Sequence, residues 1–204
     1  MFRKIDFLYI SGGADAELYR NRKGYFSLNV QVISDSNLRI NDVVARWPGS
    51  THDSTIFSNS SICARFETGE IKDGYILGDG GYPCKRYLLT PLGTTTTAAE
   101  RRYNYSQIRT RNPVERTFGV LKRRFPCLKL GLRVQVRNSL SIIVACIVLH
   151  NIALRHGEIE PQDDVTIINE RRVFYKEVPE VQGYNECSSW EGCWDNSYPS
   201  RFDK

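Results

Sequence analysis

The residues from Tyr25 to Ile33 alternate between two faces, with Phe26, Leu28, Val30 and Val32 on one and Ser27, Asn29 and Gln31 on the other. A period of two predicts an extended strand with one face in the core and one toward solvent. Asp35-Ser36-Asn37 follows as a turn. Leu38 to Trp47 is a second strand, ended by Pro48-Gly49. The two strands form a hairpin, and any fold for this chain must be built around it.

The flanking residues supply what covers that hairpin. Phe7 to Ile10 is a short apolar strand ended by Ser11-Gly12-Gly13, and Tyr75 to Leu77 is a short buried strand. Ser50 or Thr51 can cap a helix from about His52 to Phe66, with Ile56, Phe57 and Ile62 facing inward. Thr94 to Thr97 lead into a helix from about Ala98 to Arg109. Asn112-Pro113 then opens another helix, to about Phe125. Leu140 to Arg155 is an apolar helix that closes the core. Its longest apolar run, Ile142 to Leu149, is too short to cross a membrane. The N-terminus carries no signal-peptide hydrophobic region. This order predicts an α/β fold, a mixed sheet flanked by helices.

Charge divides the chain. Residues 1–157 carry 23 Lys and Arg against 12 Asp and Glu, whereas residues 158–204 carry 5 against 11. The expected organisation is a basic domain over residues 1–156, suited to nucleic acid, and a loosely ordered acidic tail over 157–204. The six cysteines show no zinc-binding spacing. Cys146 reads as a buried thiol. Cys187 and Cys193 could pair, but a reducing compartment is expected.

Three carboxylates stand where the backbone turns or a helix begins. Asp53 lies in Trp47-Pro48-Gly49-Ser50-Thr51-His52-Asp53-Ser54, Asp79 in Leu77-Gly78-Asp79-Gly80-Gly81-Tyr82, and Glu115 in Arg111-Asn112-Pro113-Val114-Glu115-Arg116. Carboxylates gathered on turns hold hard divalent cations. Each also has a plainer reading. Asp79 can bond its own turn. Asp53 suits the first turn of a helix. Glu115, three residues after Asn112, fits a capping box.

The span from Arg101 to Arg137 holds eleven Lys and Arg, and Glu115 is its sole acidic residue. A solvated helix normally mixes signs, so this run favours phosphate binding. Arg20-Asn21-Arg22-Lys23-Gly24 is a second basic cluster, able to contact the same backbone. Tyr103 and Tyr105 either stack on bases or line the surface.

Taken in order, Tyr19 to Gly24, Trp47 to Ser54, Leu77 to Tyr82, Val114-Glu115-Arg116-Thr117-Phe118-Gly119 and Leu149-His150-Asn151-Ile152 resemble the DDE-type nuclease domain of Harbinger-type transposases and the nucleases derived from them. The resemblance covers about residues 6–156. It implies an RNase H-like fold and a divalent-metal-dependent endonuclease that cuts DNA with Mg²⁺ or Mn²⁺. Asp79 matches the family's Asp after the central strand, Glu115 the Glu of its terminal catalytic helix, and Asp53 its His-Asp-Ser position. All three are expected as metal ligands. Arg111, Arg116, Lys122, Arg123 and Arg124 are expected to hold DNA. The resemblance also implies a separate Myb-like DNA-binding partner and a nuclear location.

The first strand departs from the family pattern. It reads Ile5-Asp6-Phe7-Leu8-Tyr9-Ile10 in place of an Ile-Asp-Gly-Thr-His motif. The expectation is therefore a truncated or differently spliced copy, without the family's upstream helix-turn-helix region; Asp6 lies in roughly the strand of the first catalytic Asp, and activity depends on whether it supplies that carboxylate. The alternative is a catalytically inactive domesticated DNA-binding or adaptor protein.

Overall fold

Strand β2 (Ser27–Ser34) is the middle of a three-stranded antiparallel sheet, between β1 (Phe2–Leu8) and β3 (Ile40–Pro48). The computed structural model describes residues 2–8, 16–22, 24, 26–132, 134–158 and 160–161, the first strand by its backbone alone. After the sheet come helices α1 (Asp53–Ser58) and α2 (Ser61–Glu67). Strands β4 (Ile76–Leu77) and β5 (Leu88–Leu89) form a separate parallel pair. Helices α3 (Ala98–Arg124), α4 (Cys127–Leu130) and α5 (Val136–Arg155) complete the described fold. The chain is thus α/β, with two small sheets among the described residues. By contacts it divides into residues 1–164 and 165–204. Most of the acidic tail, with Cys187 and Cys193, lies outside the described residues.

The hairpin forms as its alternation predicts, but its polar face is not solvated. Leu28, Val30 and Val32 pack with Ile40 against Val114, Phe118 and Leu121 of α3 and Ile143, Cys146 and Ile147 of α5. Each such side chain contributes roughly 1.5–3 kcal/mol on burial. Ser27, Asn29 and Gln31 on the opposite face are equally buried. Ile33 on that face packs against a second cluster of Phe57, Cys63, Ile76, Tyr82 and Leu88. A middle strand covered on both faces must bury its polar row too, and these polar groups need partners.

Three further expectations change. The stretch from His52 to Phe66 is two helices, because Ser60 ends one and caps the next by accepting from the Cys63 N–H at 3.2 Å. Neither Ser50 nor Thr51 caps α1; His52 occupies that position without a capping bond. Asn112-Pro113 opens no helix: α3 runs unbroken for 27 residues with Pro113 inside. An interior proline costs about 3 kcal/mol or more, and the burial of Val114, Phe118 and Leu121 immediately after it offsets that cost. The capping box sits instead at Thr97 and Glu100, where the hydroxyl and carboxylate each accept the other's backbone N–H. Glu115 is therefore mid-helix and caps nothing. Its plainer structural reading falls away.

Helix α5 clasps the hairpin turn. Asp35 Oδ1 accepts the N–H groups of Asn37 and Arg39, and this holds Leu38 at φ 64°, a left-handed conformation that costs a non-glycine residue roughly 1–2 kcal/mol. Buried His150 donates from Nε2 to the Leu38 carbonyl at 3.0 Å. Asn151 pairs with both backbone groups of Ile40, at 2.9 and 2.7 Å. Helix α5 is long and apolar enough by composition to cross a membrane, but here its Ile143, Cys146, Ile147 and His150 face is buried.

Burial pushes the His150 imidazole below its ordinary value near 6.5, the Leu38 bond opposes that shift, and nearby Arg124 adds to it. A depressed basic group favours folding above the unfolded value and loses that contribution as pH falls through the folded one. The melting temperature is expected to drop as pH is lowered from about 7 through about 6. The drop should shrink in His150→Gln, which keeps a donor but does not titrate. Equal pH slopes in the two proteins would contradict this role.

Candidate functional site

The loop from Pro48 to His52 is sewn onto the buried polar row of β2. Gly49 donates to the Ser27 carbonyl at 2.8 Å. A Cβ at Gly49 would lie 1.8 Å from the Ser27 hydroxyl oxygen, so only glycine fits. Asn21 donates to that same oxygen at 3.0 Å, and Asn29 donates to the Thr51 carbonyl at 2.9 Å. These bonds fix where α1 starts and so where Asp53 stands. Arg22 donates to His52 Nε2 at 2.6 Å beside it. Within the second basic cluster, Asn21 thus reaches Ser27 and Arg22 reaches His52. Arg20 pairs with Glu17, caps the Gly24 carbonyl and lies over the Phe26 ring.

Asp79 follows β4 directly. Its Oδ1 accepts the Gly81 N–H at 2.9 Å, an Asx turn of the kind its glycine neighbours predict. This structural bond does not exhaust the residue. The missing Cβ of Gly81 would lie 3.1 Å from Asp79 Oδ1 and 3.1 Å from Asp53 Oδ2. The two oxygens are therefore separated by no more than twice that distance. Two carboxylates from sequence positions far apart converge on one glycine.

Tyr82 backs the pair. Its ring packs edge-on against Phe57 at 6.3 Å. Burial pushes its phenol well above the usual range, the charges of Asp53 and Asp79 push the same way, and the Arg111 guanidinium opposes them. Arg111 in turn donates to Glu115 Oε1 at 3.1 Å, with the two side chains 16% and 20% exposed. Asp53, Asp79 and Arg111 thus all act on the Tyr82 phenol, and Arg111 also pairs with Glu115. Among the described residues, no three His, Cys, Asp or Glu side chains stand close enough together to hold a metal. Glu115 is held by Arg111 and is not part of the Asp53–Asp79 pair. The pair suits Mg²⁺ or Mn²⁺, because such ions take one or two carboxylates and keep several waters. Asp6 stands opposite Asn29 in the β1–β2 register, in the strand described by its backbone alone.

The basic residues of α3 have separate surroundings. Arg116 is largely exposed and pairs with Glu160. Arg123 donates to the Pro161 carbonyl at 2.9 Å and lies 3.8 Å from Glu160. Arg124 is only 10% exposed, donates to the His150 carbonyl and joins α3 to α5. Lys122 is partly buried. Tyr103 donates to the Thr90 carbonyl, while Tyr105 is exposed.

Four residues around the site carry no catalytic signal in the sequence: Ser27, Asn29, Tyr82 and Gln107. Gln107 is 4% exposed and donates from Nε2 to the carbonyls of Gly78, at 2.7 Å, and Leu89, at 3.3 Å. Its spacing of four from Arg111 and eight from Glu115 is the available cue.

The family model described as DDE superfamily endonuclease matches residues 10–151. That span contains Asp53, Asp79 and Glu115; Asp6 lies before it. The proteins named "Putative nuclease HARBI1" in Mus musculus and Homo sapiens are 44% and 42% identical to the chain over 142 residues, 68% of its length. "Protein ALP1-like" of Arabidopsis thaliana is 29% identical over 167 residues, 74% of its length. The chain spans about two fifths of these relatives, 41% of each. No solved structure matches it.

Gly81→Ala tests the convergence of the carboxylates. The added methyl would meet both oxygens at 3.1 Å and force them to move, whereas Gly80 faces open space. Gly81→Ala is expected to weaken Mn²⁺ binding about tenfold, read by titration calorimetry, with Gly80→Ala close to the parent. Equal affinities in the two variants would show that the pair does not hold the ion.

Proposed function

The chain belongs to the DDE superfamily endonucleases, and we propose that it is the divalent-metal-dependent core of a transposase-derived enzyme that cuts DNA phosphodiester bonds. The observation that carries this reading is the convergence of Asp53 and Asp79 on Gly81. Asp53 and Asp79 hold the ion, and Glu115 is the third carboxylate of the site. Bound there, a divalent ion supplies an activated water and stabilises the leaving oxygen. The Asx turn at Asp79 and the β2-anchored start of α1 keep the two carboxylates in place before the ion arrives. The antiparallel order of β1, β2 and β3 and the parallel β4–β5 pair support an RNase H-like arrangement.

Arg116, Lys122 and Arg123 hold the substrate backbone in this reading, and phosphate contacts of that kind give affinity without sequence preference. Arg111 and Arg124 act from inside the fold, one on Glu115 and one on His150. Sequence choice then falls to a separate DNA-binding protein, Myb-like by the resemblance of this chain to its family, and the place of action is the nucleus.

A second reading has its own support. Glu115 is engaged by Arg111, and no three-ligand group forms among the described residues. A chain with this arrangement serves as a DNA-binding or adaptor protein without cutting. Supercoiled plasmid and Mn²⁺ separate the two. The nuclease reading expects nicking by the parent chain and a loss of about a hundredfold or more in Asp79→Asn. Silence from both proteins, with salt-dependent DNA binding intact, would establish the second reading.

The pairing of Glu160 with Arg116 and Arg123 predicts a further effect. A carboxylate there occupies cations that a phosphate would use. Glu160→Gln should bind duplex DNA several-fold more tightly at low salt, with a steeper salt dependence in a fluorescence anisotropy titration. Unchanged affinity would mean that these arginines lie off the DNA path.

A further inference from the structure

We infer that Gln107 is the positioning residue that sets Asp79 against Glu115. This inference rests on the reading of those carboxylates as a metal site. The β4–β5 ladder contains just two residue pairs, Ile76–Leu88 and Leu77–Leu89. Immediately beyond it the chain leaves the strand through Gly78 and presents Asp79. Gly78 is hemmed in, because a Cβ there would meet Leu88 and Tyr82 at 3.1 and 3.2 Å. Its N–H still reaches the Leu89 carbonyl at 2.9 Å. Its carbonyl, like that of Leu89, takes the Gln107 amide. A side chain of α3 thus continues the ladder by one step where the backbone of β5 no longer can.

The bond matters because of what else α3 carries. Gln107, Arg111 and Glu115 recur every four residues, so they lie along one face of the helix. Gln107 grips the residue before Asp79. Two turns further on, the same face carries Glu115. The separation of the two carboxylates is then set by a rigid helix and one buried amide. Tyr103 on Thr90 and Asn104 on both backbone groups of Leu92 also stitch α3 to the segment after β5. Those bonds end on Thr90 and Leu92, whereas that of Gln107 ends on Gly78. Gln107 is also nine-tenths buried or more, and its Oε1 has no partner among the described residues. The bonds its side chain makes are therefore those of the donor, to Gly78 and Leu89.

The test compares Gln107→Met, which keeps the volume and removes the donor, with Asn104→Ala, which removes a stitch away from the turn. Two readouts are taken on the full chain: Mn²⁺ affinity by calorimetry, and amide hydrogen exchange at Gly78 and Gly81 without metal. Gln107→Met is expected to lose about tenfold or more in Mn²⁺ affinity and to exchange several-fold faster at both glycines. Asn104→Ala is expected to change neither, whatever its melting temperature. Should Gln107→Met not fold, Gln107→Asn withdraws the amide by one methylene and reads the same two quantities. Parent-like affinity and exchange in the Gln107 variant, or equal losses in Asn104→Ala, would overturn the role. If the parent binds no Mn²⁺ but exchange still quickens in the Gln107 variant, the metal reading fails and the positioning role stands.

Discussion

Helix α3 runs through Pro113 without a break, and the arrangement of the site depends on that continuity. The first half of the helix is stitched to β5 and the residues after it by Tyr103, Asn104 and Gln107. The second half is buried against β2 through Val114, Phe118 and Leu121. A break at Asn112 would let the two halves turn independently, and Glu115 would no longer be placed by the grip of Gln107 on Gly78. The hydrogen bond that Pro113 cannot make is the local cost of this rigidity. The core packing that follows at once outweighs it.

Charge follows the same helix. Arg111 pairs with Glu115 and acts on the Tyr82 phenol, on which Asp53 and Asp79 also act. On the more exposed side, Arg116 and Arg123 meet Glu160 from the segment after α5. One helix therefore carries Arg111 with its partner Glu115 on one side and basic residues paired with Glu160 on another.

The hairpin was legible because its alternation has a local cause, and the strand before Asp79 because glycines mark where it ends. The buried polar row of β2 was not legible. Ser27, Asn29 and Gln31 have the pattern of a solvated face, and the loop before α1 and the Phe57 cluster brought to that face change it. Pro113 misled for a related reason: propensity favours a helix start there, and tertiary burial overrode it. Each carboxylate alone was matched by an ordinary structural role. Asp79 does bond its own turn, and Glu115 proves not to be a cap. The convergence of Asp53 with Asp79 is a long-range fact that no local pattern encodes.

If Asp53 and Asp79 together hold a divalent cation, crystals grown with Mn²⁺ will show it by anomalous diffraction. The expected map has a single strong peak bonded to carboxylate oxygens of both residues at about 2 Å, beside Gly81. No peak there at saturating Mn²⁺, or one bonded to neither residue, would contradict it.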